Sequence, residues 1–198
     1  MPEDLNPGSW SIRRIDAPCD TVITSIAAPP DGSARMMYAD HAGIIRVIDR
    51  QAGTTGVFLD LRSKVVLRGE SGFCSLAFHP GFATNRQFFV SYVAAREAPL
   101  LPVGRLARFE ADPADPSRAL PESELPLISQ PHRGDIHFAG DTCFGPDGYL
   151  YMSLGDEGYG YMWENAGRWD RNFFSGIIRI DPDQRPGGLL PNVHPAVH

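Results

Sequence analysis

The sequence predicts an all-β fold, a β-propeller with about three blades present, and three observations predict it. The pentapeptide Gly43-Ile44-Ile45-Arg46-Val47 returns 133 residues later (176 − 43) as Gly176-Ile177-Ile178-Arg179-Ile180. Pro30-Asp31-Gly32 returns as Pro146-Asp147-Gly148, with Phe78-His79-Pro80-Gly81 as a looser copy between them. The turn prolines stand 50 residues apart (80 − 30) and then 66 (146 − 80), and short β-branched and aromatic runs fill the intervals. Periods of that size, punctuated by Gly and Pro, are the pattern of propeller blades.

Each unit reads as an apolar strand running into the Pro/Gly turn, a second strand, an excursion of variable length and a third strand. The second strands are Arg35 to Ala39, Gln87 to Tyr92 and Tyr149 to Leu154; the third are Gly43 to Val47, Gly104 to Phe109 and Gly176 to Ile180. The proline-bearing polar stretch from Glu110 to Glu124 reads as a surface loop between the second and third units. A propeller closes with about 4 to 8 blades, and three do not close. Residues 1–198 are therefore expected to form a single partial propeller domain, a portion of a larger ring or a chain that pairs to finish one. The tail from Pro186 to Pro195 reads as an excursion cut short.

The net charge of −6 argues against a nucleic-acid surface, which needs clustered Lys and Arg. No apolar run approaches the ~18 to 20 residues of a membrane helix, and the acidic start Met1-Pro2-Glu3-Asp4 lacks the basic and apolar regions of an export signal. A soluble chain is expected. Cys19, Cys74 and Cys143 are odd in number and without Cys-x-x-Cys spacing, so neither a disulfide framework nor a zinc site is expected. Cys74 and Cys143 fall in apolar strands and read as buried, inert thiols.

The unusual polar residues crowd into Gln130 to Asp141, just before the first strand of the third unit. Loops entering innermost strands converge on a propeller's channel, where rigid blades hold them. An imidazole such as His137 is largely neutral at pH 7 and can take a proton. If the next hairpin folds back as a blade requires, Asp156 of Gly155-Asp156-Glu157-Gly158 can bond that imidazole and fix its tautomer. The same tetrapeptide also reads as an ordinary turn or as hard-cation ligands. Tyr161, Trp163 and Trp169 in the long excursion either pack against a sugar ring or anchor their loop. His79, His194 and His198 read as turn and tail residues.

These motifs resemble a known family. Glu70-Ser71-Gly72-Phe73-Cys74-Ser75-Leu76-Ala77-Phe78-His79-Pro80-Gly81-Phe82-Ala83-Thr84-Asn85 resembles the "GLLGLAFHPDF…N" stretch of the soluble quinoprotein sugar dehydrogenases, the glucose/sorbosone dehydrogenase family. His137 to Tyr151, followed by Gly155-Asp156-Glu157-Gly158, is similar to its "H…G…FGPDGYLY…GD.G" run, and Phe174 to Asp181 to its "LLGKILRID". The resemblance spans roughly residues 20 to 185.

It implies a six-bladed propeller that binds pyrroloquinoline quinone (PQQ) and calcium and oxidises the anomeric carbon of aldoses, in proteins that are typically periplasmic or secreted. His137 falls on the general base, Asp156 on the aspartate near it, Glu70 on a polar position facing the substrate, and Tyr161 roughly on a substrate-contacting position. Ile136 stands where glucose-oxidising relatives carry an aspartate, with Asp135 one place earlier, which sets this chain apart from them at the substrate. The residues that hold quinone and calcium lie in the family's later blades, so the cofactor sites are expected outside this chain. The leading expectation is a PQQ-dependent sugar dehydrogenase-like oxidoreductase acting on a small sugar, incomplete as this chain. Its alternatives are a non-catalytic propeller that binds protein or glycan and a calcium-dependent propeller lactonase.

Overall fold

A computed structural model describes residues 14–95, 101–134, 136–158, 160–166 and 172–185. Three antiparallel sheets follow one another along the chain. The first is β1 (Ile23–Ala27), β2 (Arg35–Asp40), β3 (Ile44–Asp49) and β4 (Thr54–Asp60). The second is β5 (Phe73–Phe78), β6 (Gln87–Ala94), β7 (Val103–Ala111) and β8 (Ala119–Pro131), and the third β9 (Ala139–Phe144), β10 (Leu150–Leu154) and β11 (Gly176–Ile180). Strand order equals chain order in every sheet, the meander of a propeller blade. The repeated pentapeptides occupy like places, since β3 and β11 are each the third strand of their blade. The helices among the described residues are single turns, α1 (Phe82–Asn85) and α2 (Met162–Asn165). No helix among them is long and apolar enough to cross a membrane.

The Pro-Asp-Gly turns form for a local reason. The Asp31 carboxylate accepts the Ser33 N–H at 3.0 Å and the Asp147 carboxylate accepts the Tyr149 N–H at 3.2 Å. Gly32 and Gly148 then take φ of +75° and +76°, a region open to glycine at no steric cost.

Blade two is covered on both faces. Phe88, Val90, Tyr92 and Ala94 of β6 enter the core shared with blade one, which also holds Phe58, Phe78 and Phe109. Phe89 enters a second core with Leu106, Ile128, Leu150 and Met152, shared with blade three. That two-sided burial is why β6 reads as an almost unbroken apolar run. Each fully buried large side chain contributes roughly 1.5–3 kcal/mol. Polar ties add direction: Ser75 donates to Asp141, and Ser91 donates to the Gly140 carbonyl at 2.9 Å. His79 Nδ1 accepts from the Gly81 N–H (2.9 Å) and faces Asn85 Nδ2 (2.8 Å), so Nε2 carries the proton that reaches Asp183 of the segment after β11, 3.0 Å away.

Two expectations need correction. Glu110 to Glu124 is mostly strand: β7 continues to Ala111 and β8 begins at Ala119, leaving 112–118 as the loop. β8 is an edge strand, where Pro121, Pro126 and Pro131 are tolerated because one side of the backbone needs no ladder bond. Cys143 is exposed, because β9 alternates and it lies on the side opposite buried Thr142. Burial does push the Cys74 thiol up to about 12, in keeping with an inert residue. Blade three shows three strands among the described residues, with β11 at its edge. The tail from Pro186 onward, with His194 and His198, lies outside the described residues, as do Asp135 and Trp169.

Candidate active site

The inner strands β1, β5 and β9 pack side by side, so the segments entering them meet at one end of the blades. Glu70 precedes β5, His137 precedes β9, and the turn after β10 lies at the same end, because Leu154 pairs with Ala139. The Glu70 segment is pinned to blade one, where the Phe73 N–H donates to the His41 carbonyl at 2.9 Å. A Cβ on Gly72 would stand 2.3 Å from the His41 ring, so only glycine allows this approach.

Three of the expected residues come together. The His137 N–H donates to Glu70 Oε2 at 3.0 Å across 67 residues (137 − 70), and His137 Nδ1 lies 2.7 Å from Asp156 Oδ1. The hydrogen bond from His137, with the Gly158 N–H behind it, holds the Asp156 carboxyl below the usual carboxylate range. An ionised carboxylate only accepts, so Nδ1 carries the proton and Nε2 is left with its lone pair. The side chain is about half exposed, at 49%. Glu70 accepts the His137 N–H with one oxygen and also lines a cleft.

That backbone is bent into place. His137 has φ of +55° and Glu157 has φ of +69°, a left-handed region that non-glycine residues seldom enter. Gly155 lies so close that a Cβ there would be 2.2 Å from the His137 carbonyl oxygen. Gly158 makes room for Ile136, whose side chain would be 2.2 Å from an added Cβ. Ile136 thus packs on the turn.

Tyr161 sits apart from this trio. Its N–H donates to the Gly158 carbonyl at 3.1 Å, and one ring face lies under the Arg133 guanidinium, 4.2 Å from the centroid. Trp163 is 83% exposed. Two neighbours carry no role assigned from the sequence, Glu157 and His132. Glu157 is buried and bonded to Arg133 and Asn165. His132 is buried against Phe138 and Phe174, and neither ring nitrogen has a hydrogen-bond partner. Burial pushes its pKa down to about 4, with the Glu157 carboxylate pulling the other way. Alternation offered a signal: of the two acids between Gly155 and Gly158, only one can face the imidazole.

A cleft of about 510 Å³ opens beside Glu70, lined by Thr24, Ser25, His41, Glu70, Cys74 and Asp141 among others, with no Lys or Arg. The quinone expected from the sequence carries carboxylates, and Arg133 is engaged by Glu157 and Glu164. Of the trio only Glu70 lines this cleft, and its polar, cation-free lining suits a hydroxyl-bearing ligand but not the quinone's acidic groups. Among the described residues, no group of three or more His, Cys, Asp or Glu side chains is placed to hold a metal ion.

Comparison with known proteins gives a consistent picture. The model of the family described as Glucose / Sorbosone dehydrogenase matches residues 21–193. Among solved structures, the PQQ-bound aldose sugar dehydrogenase from Streptomyces coelicolor superposes with a TM-score of 0.72 at 20% identity, covering 94% of this chain and 52% of that one. A putative oxidoreductase (glucose dehydrogenase) from Thermus thermophilus gives 0.67 at 26% identity, covering 86% and 46%. Among curated proteins, HIPL1 protein of Arabidopsis thaliana is 27% identical over 199 residues, covering 79% of this chain and 29% of its own length. Human Hedgehog-interacting protein is 30% identical over 167 residues, covering 77% and 23%. The chain thus spans about half of these solved structures and under a third of these curated relatives.

Proposed function

The chain belongs to the glucose/sorbosone dehydrogenase family, and from that premise we propose that it supplies the base of an oxidoreductase acting on an alcohol carbon of an aldose-type sugar. The observation that carries this reading is the 2.7 Å contact between His137 Nδ1 and Asp156 Oδ1. Asp156 keeps the proton on Nδ1 and turns the Nε2 lone pair outward. Nε2 takes the hydroxyl proton as the carbon gives up its hydride, and Asp156 stabilises the imidazolium that results. Glu70 accepts a second sugar hydroxyl with its unengaged oxygen. PQQ, with calcium, would supply the hydride acceptor, and its hold is not found among the described residues.

The test is a complete ring containing this chain, loaded with quinone and calcium and assayed for dye-linked aldose oxidation. His137→Ala should lower the rate by about 10² to 10⁴ while quinone binding is kept. A ring that oxidises sugars equally well without His137 rejects the assignment.

A second reading, a protein-binding propeller, is favoured by the likeness to Hedgehog-interacting protein. A ring that captures a protein ligand, indifferent to quinone and to His137→Ala, while oxidising no sugar would replace the first reading by the second.

A further inference from the structure

Glu157 is 1% exposed, and the proposed proton transfer makes no use of its carboxylate. That carboxylate accepts from Arg133 N at 2.6 Å, Arg133 Nε at 3.2 Å, Arg133 Nη2 at 2.9 Å and Asn165 Nδ2 at 2.8 Å. The donors come from both segments that build the site. Arg133 stands four residues before His137 (137 − 133), and Asn165 stands nine after Asp156 (165 − 156). Asn165 Nδ2 also donates to the Asp156 carbonyl at 3.0 Å, and Arg133 reaches Glu164 at 3.1 Å while covering Tyr161. The backbones touch as well: a Cβ on Gly134 would lie 2.2 Å from the Glu157 carbonyl oxygen. A carboxylate buried without such donors costs heavily, so the two segments hold their charge only while they hold each other.

We propose that Glu157 is the positioning residue of this site: its buried carboxylate joins the His137 segment to the Asp156 turn, so that the imidazole–carboxylate contact is preformed. The proposal rests on the dehydrogenase reading in treating that pair as the catalytic one.

The experiment uses this chain with its imidazoles labelled with nitrogen-15 and follows solvent exchange of the His137 Nδ1 proton by NMR. Glu157→Ala should speed that exchange by about tenfold. Glu157→Gln, which keeps an acceptor but not the charge, should fall between Ala and wild type, with amide protection in β10 and β11 unchanged in both. Asn165→Ala, which removes one donor and leaves Arg133 on Glu157, should give about threefold and serves if Glu157→Ala does not fold. An Nδ1 proton unaffected by these substitutions overturns the proposal. So does one that changes only in step with the β10 and β11 amides, or one already at the solvent rate in wild type. A proton that responds in a ring unable to oxidise sugar leaves the positioning intact and sinks the dehydrogenase reading instead.

Discussion

Blades two and three are written in the same repeat, yet they are stabilised differently. In blade two, Phe88 and Phe89 point to opposite faces of β6 and both are 0% exposed, because blade one covers one face and blade three the other. In blade three, Ile178 and Ile180 of β11 pack on the core shared with blade two, while Ile177, just before them in the strand, is 74% exposed. A propeller blade owes its core to its neighbours. The candidate site lies on the less covered blade, and buried polar bonds and close glycine contacts do there what aromatic packing does in blade two.

The largest test of that contrast is truncation at matched positions. Phe88 pairs with Phe109, as Leu150 pairs with Ile180. Phe109→Ala should cost about 3 to 5 kcal/mol in urea unfolding, and Ile180→Ala about 1 to 2 kcal/mol. Equal costs would mean that the two blades are equally well packed.

His132 sharpens the contrast through pH. With a folded pKa of about 4 and an unfolded one near 6.5, the unfolded chain binds the proton first on acidification. The stability attached to the neutral ring is whole above pH 6.5, falls between 6.5 and 4, and has gone below. Relative to His132→Leu, wild type should lose about 3 kcal/mol over that window. Parallel pH–stability curves for the two proteins would show that the buried ring titrates normally.

Gly155→Ala tests the close backbone contact. Its new Cβ must displace the His137 carbonyl, at a cost of about 1 to 3 kcal/mol. In a complete ring, a misplacement of that size should cost about 10² in rate. Unchanged stability and activity would remove Gly155 from the account of the site. The smallest effect belongs to Ile177→Ser on the open face of β11, expected within about 0.5 kcal/mol; a larger loss would show that this face is covered in solution.

Most of the fold was legible because blade architecture writes itself as local repetition. The Pro-Asp-Gly turns and the Gly-Ile-Ile-Arg echo placed the second and third strands to within a few residues. β8 was not legible, since prolines read as loop signals unless the strand is known to lie at an edge, and edge position is a property of the sheet. The exposure of Cys143 was hidden for a similar reason: an apolar strand does not say which of its faces has a neighbour. At the site, the hairpin geometry foretold the meeting of His137 with Asp156, and their place at the ends of inner strands foretold the approach of Glu70. Glu157 and Arg133 escaped notice because a charged residue in a Gly-rich turn looks solvated until the partner segment closes over it.

The edge position of β11 among the described residues also bears on how such a strand avoids pairing with its own copy. Its outer backbone groups have no strand partner among the described residues, and Ile177 stands exposed beside them. Such an edge templates cross-β stacking. Arg179 breaks the apolar run, its guanidinium 2.9 Å from Asp147 and 3.8 Å above the Tyr149 ring. Parallel, in-register stacking of identical chains would set each Arg179 against its own copy, a like-charge ladder that opposes growth. An arginine at this place in the pentapeptide would thus make fibre formation the costlier fate for an exposed strand.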